Sequence, residues 1–325
     1  GRAMTDLVTE TSPSARFRRY LKVPGRTRVE PDYYIPYWRL EGQGPGPTLL
    51  VLGGVHGNEF EGPLALYELL QELPEKEFVG TVIVVPWTNL PAVEACRRET
   101  PLDGKNLARC FPGSPEGTFT ERLAYSVGQE LIRGADFLLD LHSAGDAYTS
   151  PPLVGYYRAP GEAGERAAAA ARRFGLPVVW EHPTIAPGRT LSLAAEWGIP
   201  ALYTEAPGGQ RVRAEDVAAY KRGVYCLMDF LGMMAAEPPP APQVFLRGDG
   251  DTDGMPTFRR GGLFRSFVQV LDRVEKGHVL GQVLSLDGDV VETVRAQQAG
   301  RVVFLRATPT VQSGDRVALI APEMD

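Results

Sequence analysis

Up to residue 236, the chain alternates between short apolar runs and longer stretches with helical periodicity. The apolar runs predict strands at residues 48–53, 81–87, 135–143 and 201–206. The periodic stretches predict helices at residues 62–73, 120–134, 161–175 and 214–232. Strands that are apolar along nearly their whole length are typical of a sheet that is buried on both faces. This part of the chain is therefore predicted to form an α/β domain with helices on both faces of one sheet.

A proline-rich segment, EPPPAPQ at residues 237–243, interrupts this pattern. Proline fixes φ and lacks a backbone N–H, so this segment is predicted to be a stiff extended linker. Residues 244–325 then contain short valine-rich runs separated by glycines, which predict a small all-β domain. Within it, VEKGHVL from Val274 is echoed by VQSGDRV from Val311. The echo indicates two similar turns of a small symmetric barrel, or a coincidence in a sequence rich in valine and glycine.

Charge and cysteine content narrow the class of function. A formal net charge of −6 without a long basic run argues against nucleic acid or an anionic membrane as the main partner. No stretch approaches the roughly 18 consecutive apolar residues of a membrane-spanning helix, and the first residues lack the apolar core of a signal peptide. Three scattered cysteines are too few for a disulfide framework and indicate a reducing compartment. We therefore predict a cytoplasmic protein.

Four polar residues follow or end the predicted strands. His56 and Glu59 lie in GGVHGNEFEG, directly after the first strand. His142 ends DFLLDLH, and Glu205 ends PALYTE. Ligands of open α/β sheets bind beyond the carboxyl ends of the strands, so we expect these side chains to meet at that edge. Two histidines and a carboxylate are the ligand set of catalytic zinc, and a second carboxylate can accept a proton from water.

Each of these residues also has a simpler explanation when it is taken alone. An HxxE spacing often occurs by chance, and a histidine at a strand end is commonly a hydrogen-bonded structural residue. The glycines beside His56 are equally compatible with an ordinary tight turn. His182, in WEHPT, is interpreted most simply as a loop residue, with a place in the lining of the pocket as the alternative, and His278 is interpreted as a surface residue of the all-β domain. The zinc hypothesis therefore depends on the combination of residues.

Five motifs occur in the order GGVHGNEFEG, DGKNLARCFPG, TERLA, DLHSAG and TEAPGG. In this order they resemble the succinylglutamate desuccinylase/aspartoacylase family, a branch of the zinc-carboxypeptidase fold. The resemblance implies a zinc-carboxypeptidase-like mixed β-sheet with helices on both faces. It also implies that one Zn²⁺ per chain is bound by His56, Glu59 and His142, and that Glu205 is the catalytic carboxylate. Asp140 shares a strand face with His142 and is a candidate to orient that ligand.

The resemblance suggests roles for three arginines as well. Arg109 matches the arginine that holds the substrate's carboxylate, a task that suits a bidentate guanidinium. Beside it stands Ala108, where the family usually has asparagine, and this difference predicts an altered substrate. Arg98 matches the arginine that polarises the scissile carbonyl, although Arg97 leaves the register ambiguous by one residue. Arg189 is a candidate for a second clamp on the anionic end of the substrate. Each of the three could instead be a solvated loop residue.

The resulting prediction is a zinc-dependent amidohydrolase that removes an acyl group from a small N-acyl amino acid. The all-β domain resembles the barrel-sandwich hybrid of biotinyl and lipoyl domains, but its candidate turn at residues 295–302 has no lysine to modify. In the family such a domain narrows the mouth of the active site, which favours small substrates. A zinc carboxypeptidase acting on peptides and an inactive zinc-binding protein are the alternatives, and the sequence is compatible with a homo-oligomer.

Overall fold

The apolar runs form the centre of one large sheet in a computed structural model that describes residues 7–10 and 15–325. The described strands are β1 (Leu7–Glu10), β2 (Ala15–Val23), β3 (Tyr33–Glu41), β4 (Thr48–Leu52), β5 (Thr81–Val85), β6 (Phe137–Ser143), β7 (Tyr148–Thr149), β8 (Leu153–Tyr157), β9 (Val178–His182), β10 (Ala201–Ala206), β11 (Val244–Arg247), β12 (Gly262–Ser266), β13 (Arg273–Val274), β14 (Val279–Leu284), β15 (Val290–Arg295), β16 (Gly300–Arg306), β17 (Thr310–Val311) and β18 (Ala318–Ala321). The described α-helices are α1 (Glu61–Glu72), α2 (Leu90–Glu94), α3 (Phe119–Val127), α4 (Glu162–Arg172), α5 (Thr190–Glu196) and α6 (Ala214–Phe230).

The large sheet is mixed, with ten described strands in the order β1-β2-β3-β5-β4-β6-β10-β8-β9-β11. Its centre is parallel, because β4 pairs in parallel with β5 and β6, and β6 pairs in parallel with β10. Antiparallel pairs join β1, β2, β3 and β5 on one side, and β8 runs antiparallel to β10 on the other. The carboxyl ends of β4, β6 and β10 therefore lie at the same edge of the sheet.

Helices cover both faces of this sheet, as the sequence predicts. Alternate residues of β4 belong to different cores: Leu49 and Val51 pack in one, and Leu50 and Leu52 in the other. The first core includes apolar residues of α1, α4 and α6, and the second includes those of α3 and α5. This division follows from the alternation of side chains along a strand, and it explains why β4 is apolar from Leu49 to Leu52.

The four predicted strands are confirmed to within two residues, and the predicted helices correspond to α1, α3, α4 and α6. The predicted helix at 120–134 is α3 followed by one π-helical turn, Gly128–Ile132. The sequence pattern missed β2 and β3, because these antiparallel strands mix charged and aromatic residues and remain partly exposed. The confirmed fold is thus a mixed α/β fold with one large sheet and additional antiparallel sheets.

The chain after the proline-rich segment contributes to both parts of the structure. Strand β11, Val244–Arg247, pairs in parallel with β9 and lies at the edge of the large sheet. The later strands form two small antiparallel sheets around a separate core that includes Phe264, Val283 and Val302. Strand β7, which follows β6 of the large sheet in the chain, pairs with β16 of one small sheet. The division of the chain at residues 236 and 244 stays a prediction.

The echoed sequences VEKGHVL and VQSGDRV form similar turns. In each, a two-residue strand that ends in valine is followed by a glycine in the left-handed region, with φ +88° at Gly277 and +94° at Gly314. Both positions need glycine, since other residues adopt such a φ at a cost. None of the described helices is long and apolar enough to cross a membrane.

Candidate metal centre

The polar residues predicted to meet at one sheet edge do meet there. His56 and Glu59 lie in the loop between β4 and α1, while His142 and Glu205 lie near the ends of β6 and β10. Glu205 is the direct register partner of His142 in the parallel pair of β10 with β6. The loop requires glycine at residue 57, where a Cβ atom would lie 2.1 Å from the backbone of Ala92. This close backbone approach allows the sharp turn that brings His56 back to the edge of the sheet.

His56, Glu59 and His142 form a cluster that could hold a metal ion, with one ligand atom from each within 4.8 Å of the others. The carboxylate of Glu59 lies between the histidines: its Oε2 is 2.7 Å from Nδ1 of His56, and its Oε1 is 3.2 Å from Nδ1 of His142. All three side chains are almost fully buried. Glu59 Oε1 also accepts a hydrogen bond of 2.8 Å from the backbone N–H of Ser143, which fixes the carboxylate in place.

The other ring nitrogen of each histidine faces an oxygen acceptor. Nε2 of His56 lies 2.8 Å from Oδ1 of Asn106, and Nε2 of His142 lies 2.8 Å from Oδ1 of Asp140. Oδ1 of Asn106 also accepts from the backbone N–H of Ala108, so this oxygen is the atom that faces His56. An acceptor at Nε2 places the ring proton there and leaves the Nδ1 lone pair directed at the cluster. The donor atoms therefore fit a divalent cation between them.

The charges in the cluster shift the pKa values of its members in different directions. Burial, together with the nearby Arg98, lowers the pKa of His56. Burial also acts to lower the pKa of His142, but Asp140 and Glu59 outweigh it and raise that pKa well above its usual value. Although burial opposes the change, the two histidines hold the pKa of Glu59 far below its usual range.

Glu205 lies next to this cluster without a hydrogen-bond partner for its Oε2 atom among the described residues. Burial raises its pKa well above the usual value of a glutamate, and the charges of Glu59 and Asp140 act in the same direction. A buried carboxylate oxygen without a partner is costly for stability. Asp140, by contrast, is held by a 2.6 Å hydrogen bond from Thr190. The arrangement leaves Glu205 available to accept or donate a proton.

The three predicted arginines all line a cavity of about 460 Å³ above the cluster. Nη1 of Arg98 lies 3.5 Å from Nδ1 of His56 and 3.7 Å from Oε2 of Glu59. Arg109 and Arg189 lie farther out and are paired with carboxylates of the chain itself. Nε of Arg109 is 2.8 Å from Asp253, and Nη2 of Arg189 is 3.1 Å from Asp251. The substrate roles of these three arginines stay predictions.

The carboxylates that pair with Arg109 and Arg189 come from residues 249–253, which we call the acidic loop. It follows β11 and contributes Asp249 and Asp251 to the lining of the cavity. The role of this loop was not predicted from the sequence. Its sequence, DGDTD, is typical of a solvated turn, and nothing in the sequence connects it to arginines more than 60 residues away.

His182 and Tyr203 also line the cavity, which agrees with the alternative interpretation of His182, whereas Tyr203 was not predicted from the sequence. His182 ends β9 and is not a loop residue, so its interpretation from sequence was wrong. Its Nδ1 lies 2.8 Å from the carbonyl oxygen of Gly248, and its Nε2 lies 2.6 Å from the hydroxyl of Tyr203. The signal that could have found Tyr203 is its spacing of two residues from Glu205, which places both on one strand face.

The buried ring of His182 gives a prediction for acid stability. Burial lowers the pKa of His182 to about 4, whereas an unfolded histidine has a pKa of about 6.5. Below about pH 6.5 the unfolded chain takes up a proton that the folded chain does not, so stability falls with pH until about pH 4. The full loss is about 3 kcal/mol, from roughly 1.4 kcal/mol per pKa unit. Urea denaturation between pH 7 and pH 4.5 should therefore show a shallower loss for His182→Gln than for the unchanged protein. An equal dependence of stability on pH in the two proteins would contradict the lowered pKa of His182.

Comparisons with known proteins agree with the geometry. Residues 45–231 match the succinylglutamate desuccinylase/aspartoacylase catalytic domain, and residues 263–323 match DUF2118, described as an uncharacterized protein conserved in archaea. The N-alpha-acetyl-L-2,4-diaminobutyric acid deacetylase of Halomonas elongata is 33% identical over 285 residues, which cover 86% of this chain and 83% of that protein.

Two solved structures resemble the whole chain. The product-bound ectoine utilization protein EutE of Ruegeria pomeroyi has a TM-score of 0.86 at 30% identity and covers 99% of this chain and 100% of its own. A succinylglutamate desuccinylase of Silicibacter sp. has a TM-score of 0.87 at 28% identity and covers all of both chains. The names of the deacetylase and the desuccinylase describe amide-bond hydrolases. The motifs, the fold and these likenesses show that the chain belongs to the succinylglutamate desuccinylase/aspartoacylase family.

Proposed function

We propose that the protein is a zinc-dependent hydrolase that removes an acyl group from the nitrogen of a small amino acid. The observation that carries the proposal is the cluster of His56, Glu59 and His142 with the unpartnered carboxylate of Glu205 beside it. Relatives named as deacetylases and desuccinylases support the reaction class. The fold is proposed to be that of the zinc carboxypeptidases, with residues 244–325 as a barrel-sandwich-like domain near the mouth.

His56, Glu59 and His142 would hold the ion, and their nitrogen and carboxylate donors are those that catalytic zinc prefers. Zn²⁺ in this position would polarise the amide carbonyl and lower the pKa of water towards about 7. Asp140 and Asn106 would keep the two imidazole rings in the tautomer that presents Nδ1.

Glu205 would transfer a proton from the attacking water to the leaving amine. As water adds to the carbonyl carbon, the Glu205 carboxylate accepts a proton from that water. The carbon–nitrogen bond then breaks, and the proton passes from Glu205 to the nitrogen of the leaving amine. The products are a carboxylate and a free amino group, so one water is consumed for each bond that is cleaved. The position of Glu205 as the register partner of His142 supports this role.

Arg98 would stabilise the negative charge that develops on the carbonyl oxygen. Its guanidinium lies within 4 Å of the cluster, at 3.7 Å from Glu59, and no other carboxylate among the described residues pairs with it. A positive charge that is already positioned at the developing oxyanion lowers the barrier without reorganisation. Arg109 and Arg189 are proposed to contribute to substrate binding from the outer part of the cavity.

The experiment that tests the proposal is a hydrolysis panel with and without a metal chelator. N-acetyl, N-succinyl and N-formyl amino acids are offered beside a library of unblocked peptides. We expect release of free amino acids from the N-acyl substrates only, and loss of this activity in the chelator. Preferential trimming of peptides would favour the carboxypeptidase alternative, and hydrolysis that survives complete metal removal would contradict the metal hypothesis. Lack of any hydrolysis by the zinc-loaded protein would favour an inactive zinc-binding protein.

The cavity favours small substrates over peptides. It has a volume of about 460 Å³, and the acidic loop and residues 144–148 form part of its wall. This volume lies within the usual range of small-molecule sites. A cytoplasmic location and the absence of nucleic-acid or membrane partners stay predictions from the sequence, and assembly into a homo-oligomer stays open.

A further inference from the structure

Tyr203 carries a hydroxyl at the cavity that has no part in the proton transfer by Glu205. Its ring lies across the neighbouring strand β8, where Gly155 is its register partner and a Cβ atom would lie 2.2 Å from Cε1 of the ring. Beyond β8 the ring reaches His182 of β9, and the two ring planes differ by only 17°. Three neighbouring strands, β10, β8 and β9, therefore hold the Tyr203 hydroxyl in one position in the cavity wall.

The proton of this hydroxyl is held by His182. Nδ1 of His182 lies 2.8 Å from the carbonyl oxygen of Gly248, which can only accept, so Nδ1 carries the ring proton. Burial lowers the pKa of His182 to about 4, so the ring is uncharged at neutral pH and its Nε2 is an acceptor. Tyr203 is therefore the donor in the 2.6 Å hydrogen bond between its hydroxyl and Nε2.

The Tyr203 oxygen retains a capacity to accept a hydrogen bond. A phenolic oxygen has lone pairs in addition to its single proton, and no donor among the described residues reaches this oxygen. While His182 holds the proton, Tyr203 does not donate to a carbonyl oxygen, which separates its role from that of Arg98. A substrate group that pairs with Tyr203 therefore supplies the hydrogen itself.

Tyr203 and Glu205 face the same part of the cavity. They are two residues apart in β10, so their side chains lie on one face of the strand, and both line the cavity. Burial raises the pKa of the Tyr203 hydroxyl well above its usual value, and the nearby charge of Glu205 acts in the same direction. The hydroxyl therefore keeps its proton beside the carboxylate that is proposed to protonate the leaving nitrogen.

We propose that the Tyr203 oxygen accepts a hydrogen bond from the N–H of the scissile amide and thereby orients the leaving nitrogen. This inference rests on the proposed deacylase function. After water has added to the carbonyl carbon, the nitrogen carries one hydrogen and one lone pair. With the N–H directed at Tyr203, the lone pair is directed at Glu205, which transfers its proton there as the carbon–nitrogen bond breaks. Tyr203 keeps its own proton throughout, and His182 is the positioning residue that holds it.

The test compares an amide with an ester. The amide is the N-acyl amino acid that the hydrolysis panel shows to be cleaved fastest, and the ester has the same groups with oxygen in place of the amide N–H. For Tyr203→Phe we expect kcat/KM of the amide to fall about fivefold relative to kcat/KM of the ester, since only the amide loses a hydrogen bond. The metal content should not change, because Tyr203 is not among the clustered ligand residues.

Tyr156→Phe is the matched control. Tyr156 is likewise a tyrosine whose hydroxyl donates to a side chain of β9, at 2.8 Å from Glu181, but it is not among the residues that line the cavity. Its replacement removes one buried hydrogen bond and should leave the amide-to-ester ratio within about twofold of the unchanged protein. Because both substrates are measured on the same sample, partial unfolding of a variant does not alter this ratio.

His182→Leu tests the positioning role of His182. Leucine offers no acceptor, so the Tyr203 proton can turn towards the cavity and the oxygen meets the amide N–H in only part of its orientations. The amide-to-ester ratio should therefore fall here as well, by about threefold. An unchanged ratio would show that His182 does not direct the proton of Tyr203.

The outcomes distinguish the inference from the function on which it rests. If no amide of the panel is hydrolysed, the deacylase proposal itself is wrong. If amides are hydrolysed and Tyr203→Phe cleaves them at the unchanged rate, the deacylase proposal stands and the inference is overturned, whether or not the ester is cleaved. An equal fall for amide and ester would also overturn it, since that result assigns Tyr203 a structural role that acts through Glu205 or the cavity wall.

Discussion

Replacing Glu205 with glutamine should lower the rate of deacylation by about two to four orders of magnitude, the usual contribution of a general acid–base residue. Glutamine keeps the size of the side chain but neither accepts the proton of the attacking water nor returns it to the amine. The metal should remain bound, because Glu205 is not among the three clustered ligand residues. Initial rates with the best N-acyl substrate, together with the metal content of the purified variant, provide the measurement.

A matched control for this change is Glu196→Gln. Glu196 is the last residue of α5, is exposed, and forms no ion pair in the described chain, so its replacement should leave the rate within about twofold of the unchanged protein. Near-normal turnover by Glu205→Gln would show that another group moves the proton. Loss of the metal from that variant would show that Glu205 contributes to binding of the ion.

Replacing His142 with alanine should remove both metal and activity. The variant retains only His56 and Glu59 of the cluster, and two ligands hold a divalent ion far more weakly than three. Since loss of an outer-shell partner alone costs about ten- to a hundredfold in metal affinity or activity, loss of a ligand should cost more than about a hundredfold. Zinc titration monitored by calorimetry, with activity measured on the same samples, gives both values.

Removal of the metal from the unchanged protein with a chelator is the complementary experiment to His142→Ala. Activity should disappear with the metal and return when Zn²⁺ is added, whereas His142→Ala should not recover at the same zinc concentration. His278→Ala is the control, because His278 is exposed in the turn before β14 and far from the cluster in sequence. Full zinc affinity in His142→Ala would contradict the ligand assignment.

The sequence predicted the parts of the fold that depend on continuous burial. Strands such as β4 and β6 are buried along nearly their whole length and apolar at most positions, because both faces of the sheet are covered, so local composition identifies them. Strands β2 and β3 are stabilised by pairing with neighbours, and their exposed faces carry arginine and tyrosine. Local pattern contains little information about such pairing, and these two strands were missed.

Some contacts of the candidate site could also be predicted from the sequence, and others could not. His56 and His142 could be brought together by reasoning from sequence, because parallel strands end at a common edge of the sheet. The pairing of Arg109 with Asp253 could not, because it joins residues separated by 144 positions and depends on where a later loop folds back. The resemblance suggested a substrate role for Arg109, but only the structure shows that Asp253 pairs with its guanidinium.

The return of the acidic loop to the cavity has a consequence for how such an enzyme can evolve. The groups proposed to carry the chemistry are encoded before residue 206, whereas the aspartates that set the charge of the outer cavity are encoded after residue 248. A mutation, insertion or recombination event confined to the later stretch can therefore alter which molecules are cleaved while the catalytic groups stay intact. Relatives with nearly identical catalytic motifs can therefore differ in substrate specificity. Their sequences should be compared first in the short stretch after β11.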